Sequence, residues 1–269
     1  HECSSAASDV YKRQGDSRFH CWKKDGHGWL NMIDAIEQSC DVYLYELAKR
    51  VGIKRIGEMA ARFGFGEAFN FGLPGENRGL IPTPAWKRKT FGQAWHAGET
   101  LITSIGQGFI LCTPLQLAVM TSRLVNGGRP VLPRLVKNER AEIQKRKSLQ
   151  LSPQHLHTVL KGMDKVVNGS QGTARKVVDQ SMKFQFGGKS GSVQVKRISL
   201  DERESGKLKN KDRPWHERDH AMFVAFAPLK SPRYVVSVVV EHGGGGSTMA
   251  APIARDILAE ALRLNPSKL

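Results

Sequence analysis

Long hydrophobic runs are absent from this sequence of 269 residues. No apolar stretch approaches the roughly 20 residues that a helix needs to cross a bilayer. The first residues also lack the charged region followed by an apolar region that marks an export signal. We therefore expect the chain as given to be soluble. Its apolar fraction of 40% and charged fraction of 25% are ordinary for a globular protein and exclude no fold class.

Acidic residues are the scarcer charge, because 25 Asp and Glu stand against 41 Lys and Arg and give a net charge of +16. This excess favours nucleic acid, anionic lipid headgroups or an acidic polymer as a neighbour. The basic residues are scattered, and they are densest in 137–147 and 197–218. The sequence has neither a basic patch with interleaved aromatic residues nor a zinc finger with a recognition helix. We therefore favour a solvated basic surface that faces an anionic envelope.

Residues 1–14 resemble a translated cloning or sequencing adapter, and we leave them out of fold reasoning. A disordered native tail is the alternative. Residues 28–127 have helical patterns: we predict helices over 31–38, over 42–51 with Asp41 as cap, over 53–63, and from Thr113-Pro114 to 124. The Gly- and Pro-rich stretch 64–98 is predicted to be mostly loop.

A basic connector, 130–151, precedes the second half of the sequence. Residues 152–269 are predicted to form a helix to 167, a turn over 168–173, three strands over 189–195, 221–227 and 234–241, and a closing helix over 248–262. The second and third strands are joined by so few residues that we expect antiparallel pairing. The predicted fold class is α+β, or mixed α/β, rather than a doubly wound sheet.

Two short motifs carry chemistry. Ser39-Cys40-Asp41 lies at a break between two predicted helices, where side chains can point into a cleft. Lys189-Ser190-Gly191 begins a predicted strand, where the glycine lets a ligand approach the backbone closely. Chance gives about two Ser-x-Asp or Ser-x-Asn patterns in a chain of this length, but a Lys-Ser/Thr-Gly pattern only about once in eight such chains. The second motif is therefore the more informative one.

These residue types suit acyl transfer through a serine. That reaction needs proton transfer, donors for an oxyanion, and groups that hold a substrate carboxylate. Lys189 supplies the charge, Ser190 and Ser192 supply hydroxyls at alternate positions of the strand, and the Ser192 backbone N–H can serve the oxyanion. Ser39 can relay a proton. Penicillin-binding proteins and serine β-lactamases combine both motifs with Ser-x-x-Lys, which occurs nowhere in this sequence.

Longer stretches extend the resemblance beyond the motifs. The sequence from about 15 to 269 is similar to the C-terminal part of the transpeptidase domain of an elongation-type class B penicillin-binding protein. The stretches that carry this similarity are Gly26–Gly28, Ser39–Tyr45, Ile105–Gly108, Thr113–Gln116, Lys189–Val195, His220–Pro228 and Glu241–Gly244. The resemblance implies the penicillin-binding/serine β-lactamase-like transpeptidase fold, with a helical subdomain and an incomplete antiparallel sheet.

The resemblance also implies an activity, which is cross-linking of peptidoglycan stem peptides by a DD-transpeptidase that β-lactams inhibit. It implies a location at the periplasmic face of the bacterial inner membrane. Implied partners are stem peptides, β-lactams, a SEDS-type glycosyltransferase and elongation-complex membrane proteins, with no nucleic acid and no catalytic cofactor. Ser39, Asp41 and Lys189 would be catalytic, and Ser190, Gly191 and Ser192 would bind substrate.

In this family the nucleophile lies upstream of the Ser-x-Asn/Asp motif. We therefore expect the nucleophile and the membrane anchor to be missing, and the chain by itself to form no covalent penicillin adduct. Asp41 stands where Asn is commoner, and Ser190 and Ser192 stand where Thr is commoner. None of these departures removes a hydroxyl or a required charge.

The cysteines fall at positions 3, 21, 40 and 112, and two of them frame a histidine as Cys21-x5-His27-x12-Cys40. Zinc binds Cys and His in tetrahedral sets. Some members of the resembled family hold zinc beside Ser-x-Asp, and the resemblance implies Cys21, His27 and Cys40 as three ligands of a structural zinc. The alternatives are a buried free Cys40 with an exposed Cys21, or a disulfide between Cys21 and Cys40. Cys112 is expected in the core.

Other functions stay open at this point. The parent protein could be a β-lactam sensor or a DD-carboxypeptidase of the same fold. From a different class, the chain could be a basic, zinc-stabilised module that binds nucleic acid. Retention on DNA that is lost as salt rises would support the module, and acylation by labelled penicillin would support the enzyme.

Overall fold

The computed structural model describes residues 3–5, 11–14, 17–23, 25–70, 72, 74–135, 147–179, 182–196 and 210–265. Helices and antiparallel strands are both present, which confirms the mixed α/β class. The chain divides into two compact units, 1–162 and 163–269, and each is described by itself. Most of the two basic stretches predicted from the sequence, 137–146 and 197–209, lies outside the described residues.

Short strands occur near the start of the first unit. Strand β1 (Cys3–Ser5) pairs antiparallel with β4 (Gly28–Leu30), and β2 (Tyr11–Gln14) pairs antiparallel with β3 (Ser17–His20). Strands β1 and β2 fall within residues 1–14, which were left out of fold reasoning as a non-native segment or a disordered native tail. The non-native origin of that segment stays a prediction.

Of the described helices, six lie wholly in the first unit: α1 (Met32–Glu37), α2 (Asp41–Val51), α3 (Ile53–Phe63), α4 (Pro84–Phe91), α5 (Ala97–Ser104) and α6 (Pro114–Val125). The predictions of α1, α2, α3 and α6 are confirmed. Asn31 caps α1 by accepting a hydrogen bond from the Asp34 amide, and Thr113 caps α6 in a reciprocal pair with Gln116. These side chains satisfy backbone groups that the first turn leaves without partners.

One expectation for the first unit is confirmed and one is wrong. The stretch 64–98 is mostly loop, as predicted, although α4 and the first two residues of α5 lie in it. Asp41 is not the cap of α2: Cys40 occupies that position without a side-chain capping bond, and Asp41 is the first helical residue. A carboxylate in the first turn is still favourable there, because the helix dipole is positive at that end.

The core of the first unit lies around α1 and α2. Its buried members are Cys21, Leu30, Ala35, Cys40, Val42, Tyr43, Tyr45, Ala48 and Leu101. Because Cys40 belongs to this core, the Ser39-Cys40-Asp41 segment is anchored at its middle residue.

The second unit is built on a three-stranded antiparallel sheet with the order β5 (Gly187–Val193), β6 (His220–Ala227), β7 (Tyr234–Val240). The predicted antiparallel pairing is confirmed. Helix α7 (Pro153–Asn168), whose residues belong partly to each unit, is confirmed within one residue. In the second unit, one π-helical turn, Gly246–Ala250, leads into α8 (Ala251–Leu264). Helix α8 packs on β6 and β7.

Strand β5 begins two residues before its predicted start and ends two residues before its predicted end. Gly187 and Gly188 are poor strand formers by propensity, which is why the pattern placed the start at Lys189. Both glycines are buried, and a Cβ on Gly188 would lie 2.6 Å from the Phe223 ring. Close packing against aromatic side chains of β6 therefore requires glycine at the start of this strand.

Candidate active site

Ser39 lies in the turn between α1 and α2 in an uncommon backbone conformation. Its φ is 53°, in the left-handed region that non-glycine residues rarely adopt. The Cys40 amide donates to Ala35 O at 2.9 Å and closes the turn. The chain thereby reverses within two residues, and both Ser39 and Asp41 remain half-buried rather than entering the core.

Trp22 fixes this turn from outside. Its indole Nε1 donates to Gln38 O at 3.1 Å and to Ser39 O at 2.9 Å. Its backbone amide donates to Asp41 Oδ2 at 3.1 Å. One residue therefore contacts the backbone before Ser39 and the carboxylate after it. The motifs in the sequence gave no indication of this role of Trp22.

Three of the predicted residues converge beside the turn. The Cys21 and Cys40 sulfurs and a His27 ring nitrogen all lie within 4.8 Å of one another. Cys21 Sγ and His27 Nδ1 are 3.5 Å apart. Both cysteines are buried, and neither forms a disulfide. The prediction that these residues meet is confirmed, and the alternative with an exposed Cys21 is wrong.

This donor set fits zinc. A tetrahedral zinc with sulfur at about 2.3 Å and nitrogen at about 2.0 Å separates those two atoms by about 3.5 Å, which is the distance between Cys21 Sγ and His27 Nδ1. The hydrogen bond with the Cys40 side chain, followed by burial, raises the pKa of the Cys21 thiol to about 11. The thiol is thus protonated at neutral pH, and a bound cation would displace that proton.

The Lys-Ser-Gly motif lies in the middle of β5, where Lys189, Ser190 and Gly191 pair with Val224, Phe223 and Met222 of β6. Lys189 is half-buried, and its Nζ donates to Ser190 O at 3.0 Å. In the described three-stranded sheet, β5 is at one edge. The motif therefore lies on a strand whose other side has no partner strand within that described sheet.

A glycine turn packs against the same strand. The Gly246 amide approaches Ser192 Oγ at 3.4 Å. A Cβ on Gly246 would lie closer than 3.0 Å to Met222 O and Gly191 O, so the turn rests directly on the β5–β6 backbone.

Thr173 is a site residue that sequence reasoning missed. Its Oγ1 lies 3.2 Å from Ser190 Oγ, within hydrogen-bond distance. Gly172 positions it, since a Cβ there would collide with Lys165 O and Val166 O at the end of α7. The turn over 168–173 was predicted correctly, but nothing in its sequence indicates that it reaches β5.

Two further residues lie near these motifs or near a helix cap. His220 begins β6, and its Nδ1 accepts a hydrogen bond from the His242 amide at 2.9 Å. Cys112 was expected in the core, but it is exposed. The capping residue Thr113 follows it directly, so the chain is still outside the helix at this point.

The sequence was compared with models of protein families. Residues 4–259 match the family model described as penicillin binding protein transpeptidase domain. The chain belongs to this family. Among curated relatives of this transpeptidase family, it is 38% identical over 249 residues to peptidoglycan D,D-transpeptidase MrdA of Haemophilus influenzae, covering 90% of this chain and 38% of the relative. The Escherichia coli K12 protein of the same name is 32% identical over 252 residues, covering 90% and 39%.

Solved penicillin-binding protein structures agree with the fold. Pseudomonas aeruginosa PBP2 in complex with WCK 5153 has a TM-score of 0.81 at 35% identity, covering 97% of this chain and 56% of that chain. Helicobacter pylori PBP2 in complex with MreC has a TM-score of 0.82 at 31% identity, covering 98% and 45%. The resemblance inferred from the motifs is therefore confirmed. The chain spans about two fifths of the curated relatives it matches.

Within the described residues, no helix is long and apolar enough to cross a membrane. The predicted site residues fall into two sets: Ser39 and Asp41 with the Cys21, His27 and Cys40 cluster in the first unit, and Lys189 to Ser192 with Thr173 in the second.

Proposed function

We propose that this chain carries the Ser-x-Asp and Lys-Ser-Gly parts of the active site of a peptidoglycan DD-transpeptidase. The observation that carries the proposal is the setting of the Lys-Ser-Gly motif on a sheet edge, contacted by Thr173 and by the Gly246 turn. Family membership supports it, since the curated relatives named above are peptidoglycan D,D-transpeptidases. The relatives offer no support for a nucleic-acid-binding module.

Each motif residue has a role in this reaction. A serine attacks the carbonyl of a terminal D-Ala-D-Ala, its proton leaves with the departing D-Ala, and the acyl group then passes to an amine. The Lys189 ammonium and the Ser190 hydroxyl hold the substrate carboxylate, Gly191 lets the substrate approach the strand, and the Ser192 N–H serves the oxyanion. Ser39 relays a proton, and Asp41 orients its turn through Trp22.

The attacking serine is assigned to residues outside this sequence. None of the serines in the 269 residues is followed by lysine three positions later. β-Lactams would acylate the same serine, because they present a reactive carbonyl beside a carboxylate. We expect the 269-residue chain alone to form no covalent penicillin adduct.

The experiment uses the product of the full open reading frame that encodes these residues. Labelled penicillin should acylate one serine, and peptide mass spectrometry should place that serine outside the 269 residues. Lys189→Ala and Ser39→Ala should each slow acylation, whereas Lys230→Ala, a change of an exposed lysine between β6 and β7, should not. A stable adduct on any serine of the present chain would contradict the assignment.

The Cys21, His27 and Cys40 cluster is proposed to bind a structural zinc. When bound, zinc cross-links its protein ligands and takes no part in acyl transfer. Cys40 adjoins Ser39, and Cys21 adjoins Trp22, so the cluster would tie both sides of the Ser39 turn together. Elemental analysis of protein purified without chelator should give one zinc per chain. Cys40→Ser should abolish it, and Cys112→Ser, which changes an exposed cysteine, should not.

Location and partners follow from the same proposal. A transpeptidase works on the cell wall, which places this part of the protein at the periplasmic face of the inner membrane. The H. pylori relative was solved with MreC, and this supports elongation-complex proteins as partners. The SEDS-type glycosyltransferase is proposed from the family resemblance alone. Co-purification with such membrane proteins from the native cell tests this assignment, and purification with a cytosolic complex instead would contradict it.

A further inference from the structure

Two histidines of the second unit meet where β6 begins and β7 ends, and no step of the proposed chemistry uses either of them. His220 is the first residue of β6, and His242 lies two residues after the end of β7. Their ring centroids are 4.6 Å apart, with the ring planes at 61°. His242 belongs to the connection formed by residues 241–245, which joins β7 to the turn that begins at Gly246.

His242 has a backbone conformation that needs support from its surroundings. Its φ is 55°, in the left-handed region that a residue with a side chain rarely adopts. Conformations of this kind cost free energy, persist where the surrounding structure fixes them, and cluster at functional sites. The contacts of His242 are therefore the place to look for what holds the connection.

The segment that begins β6 binds His242 through both its backbone and its ring. The His242 amide donates to His220 Nδ1 at 2.9 Å, so this nitrogen carries no hydrogen. His242 Nδ1 lies 2.9 Å from Arg218 O and donates to it, because a carbonyl oxygen can only accept. The Trp215 ring also contacts His242, with the ring centroids 4.4 Å apart.

A further hydrogen bond attaches the next part of the connection to the same segment. The Gly244 amide donates to Asp219 O at 2.8 Å. Residues 218–220 thus hold the connection through two backbone carbonyls and one imidazole nitrogen. Among these three acceptors, only His220 Nδ1 belongs to a side chain. It is therefore the acceptor that a substitution within 218–220 can remove.

The connection leads to the turn that contacts the Lys-Ser-Gly strand. Gly246 rests on the backbone of β5 and β6, and its amide approaches Ser192 Oγ at 3.4 Å. The three residues between His242 and Gly246 are all glycine, which restricts the backbone less than any other residue. The position of Gly246 against Ser192 therefore depends on how firmly the connection is anchored at His242.

We propose that His220 is a positioning residue of the transpeptidase site: its Nδ1 holds the His242 amide and thereby keeps the Gly246 turn against the Ser192 hydroxyl. This inference rests on the proposed function and adds to it a residue outside the two motifs. The Ser192 hydroxyl belongs to the same residue as the N–H that serves the oxyanion. Groups at such a position stabilise a transition state most when they are held in place beforehand.

The test measures the second-order rate constant of penicillin acylation, and the melting temperature, of the full-length protein. His220→Leu offers no acceptor to the His242 amide and should slow acylation about ten-fold, the effect expected for one lost hydrogen bond. His220→Asn can place an amide oxygen near the position of Nδ1 and should restore most of the wild-type rate. His155→Leu, the same change at an exposed histidine of α7, should alter neither quantity.

A double-mutant cycle separates positioning from a general effect on folding. Ser192→Ala removes the hydroxyl through which the Gly246 turn acts, so His220→Leu should slow acylation less than about two-fold in that background. Losses that multiply in full would overturn the proposal, because His220 would then act on the whole fold.

Two other results would also overturn it: equal acylation of wild type and His220→Leu, or no rescue by His220→Asn. None of these results affects the transpeptidase assignment, because acylation of the wild-type protein tests that assignment.

Discussion

Replacing Gly246 by alanine is expected to separate the glycine turn from the sheet of the second unit. An added Cβ would lie closer than 3.0 Å to Met222 O and to Gly191 O. Both are backbone carbonyl oxygens of paired strands, β6 and β5, so neither can rotate away as a flexible side chain would. The turn must therefore move outward, and the approach of the Gly246 amide to Ser192 Oγ is lost.

The expected loss of stability follows from these two backbone collisions. Overpacking a well-packed site costs about 1–3 kcal/mol, and contact with two immobile carbonyls puts Gly246→Ala near about 3 kcal/mol. A change of 1 kcal/mol shifts the melting temperature by about 2–4 °C in domains of this size class. We therefore expect a fall of about 6–12 °C, measured by circular dichroism, together with slower penicillin acylation of the full-length protein.

Gly191→Ala is the matched control. Its Cβ would meet only Met222 Cβ, at 3.5 Å, which is an ordinary van der Waals contact. The free energy of unfolding should change by less than about 1 kcal/mol. A melting temperature of Gly246→Ala within about 2 °C of wild type, or an equal loss of stability in both variants, would contradict the predicted backbone collision.

Three other predictions concern the first unit. Trp22→Phe keeps an aromatic ring but removes the indole donor to Gln38 O and Ser39 O. Urea unfolding should therefore show a free energy of unfolding that is lower by about 0.5–1.5 kcal/mol. The control Trp29→Phe, at an exposed tryptophan, should leave the free energy of unfolding unchanged. Ser39→Gly relieves the strain of the positive φ and should be about 1 kcal/mol more stable than Ser39→Ala. Both variants lack the hydroxyl, so the rate of penicillin acylation should fall equally in both. An acylation rate that followed stability instead would contradict the proposed role of the Ser39 hydroxyl. Lys87→Met leaves Glu99 without its ion-pair partner and should lower the free energy of unfolding by about 3–5 kcal/mol. The double variant Lys87→Met/Glu99→Leu should recover most of that stability, measured by thermal melting.

Helix ends were predictable where the local sequence supplies its own caps. Thr113-Pro114 and Gln116 form a reciprocal cap, and Gly52 and Gly64 end α2 and α3 with positive φ. Such signals need only neighbouring residues, so a sequence contains them completely. Thr83-Pro84 gives α4 the same kind of start, and it was overlooked because the surrounding Gly and Pro content favoured loop.

The sheet was predictable in its pairing but not in its bounds. Short connections require antiparallel neighbours, whereas the start of β5 depends on the rings of β6, which press against Gly187 and Gly188. Gly187 meets Phe226, 39 positions later, and Gly188 meets Phe223, 35 positions later, and contacts at such separations leave no mark on local propensity. The start of β5 therefore follows from the folded structure and not from the local sequence.

For the Cys21, His27 and Cys40 cluster, the residue types are readable from the sequence, whereas their convergence depends on the fold. The sequence supplies two cysteines and a histidine, but a spacing of five and twelve residues does not by itself bring three ligand atoms together. The break between α1 and α2 turns Cys40 into the core, and the Trp22 indole holds that break against the segment that contains Cys21. The same contact constrains Ser39, so any change that loosens Trp22 should affect both the cluster and the proposed proton relay. Zinc content and acylation rate should therefore decline together across Trp22 variants, whereas Trp29 variants, which alter a ring that is 70% exposed, should change neither.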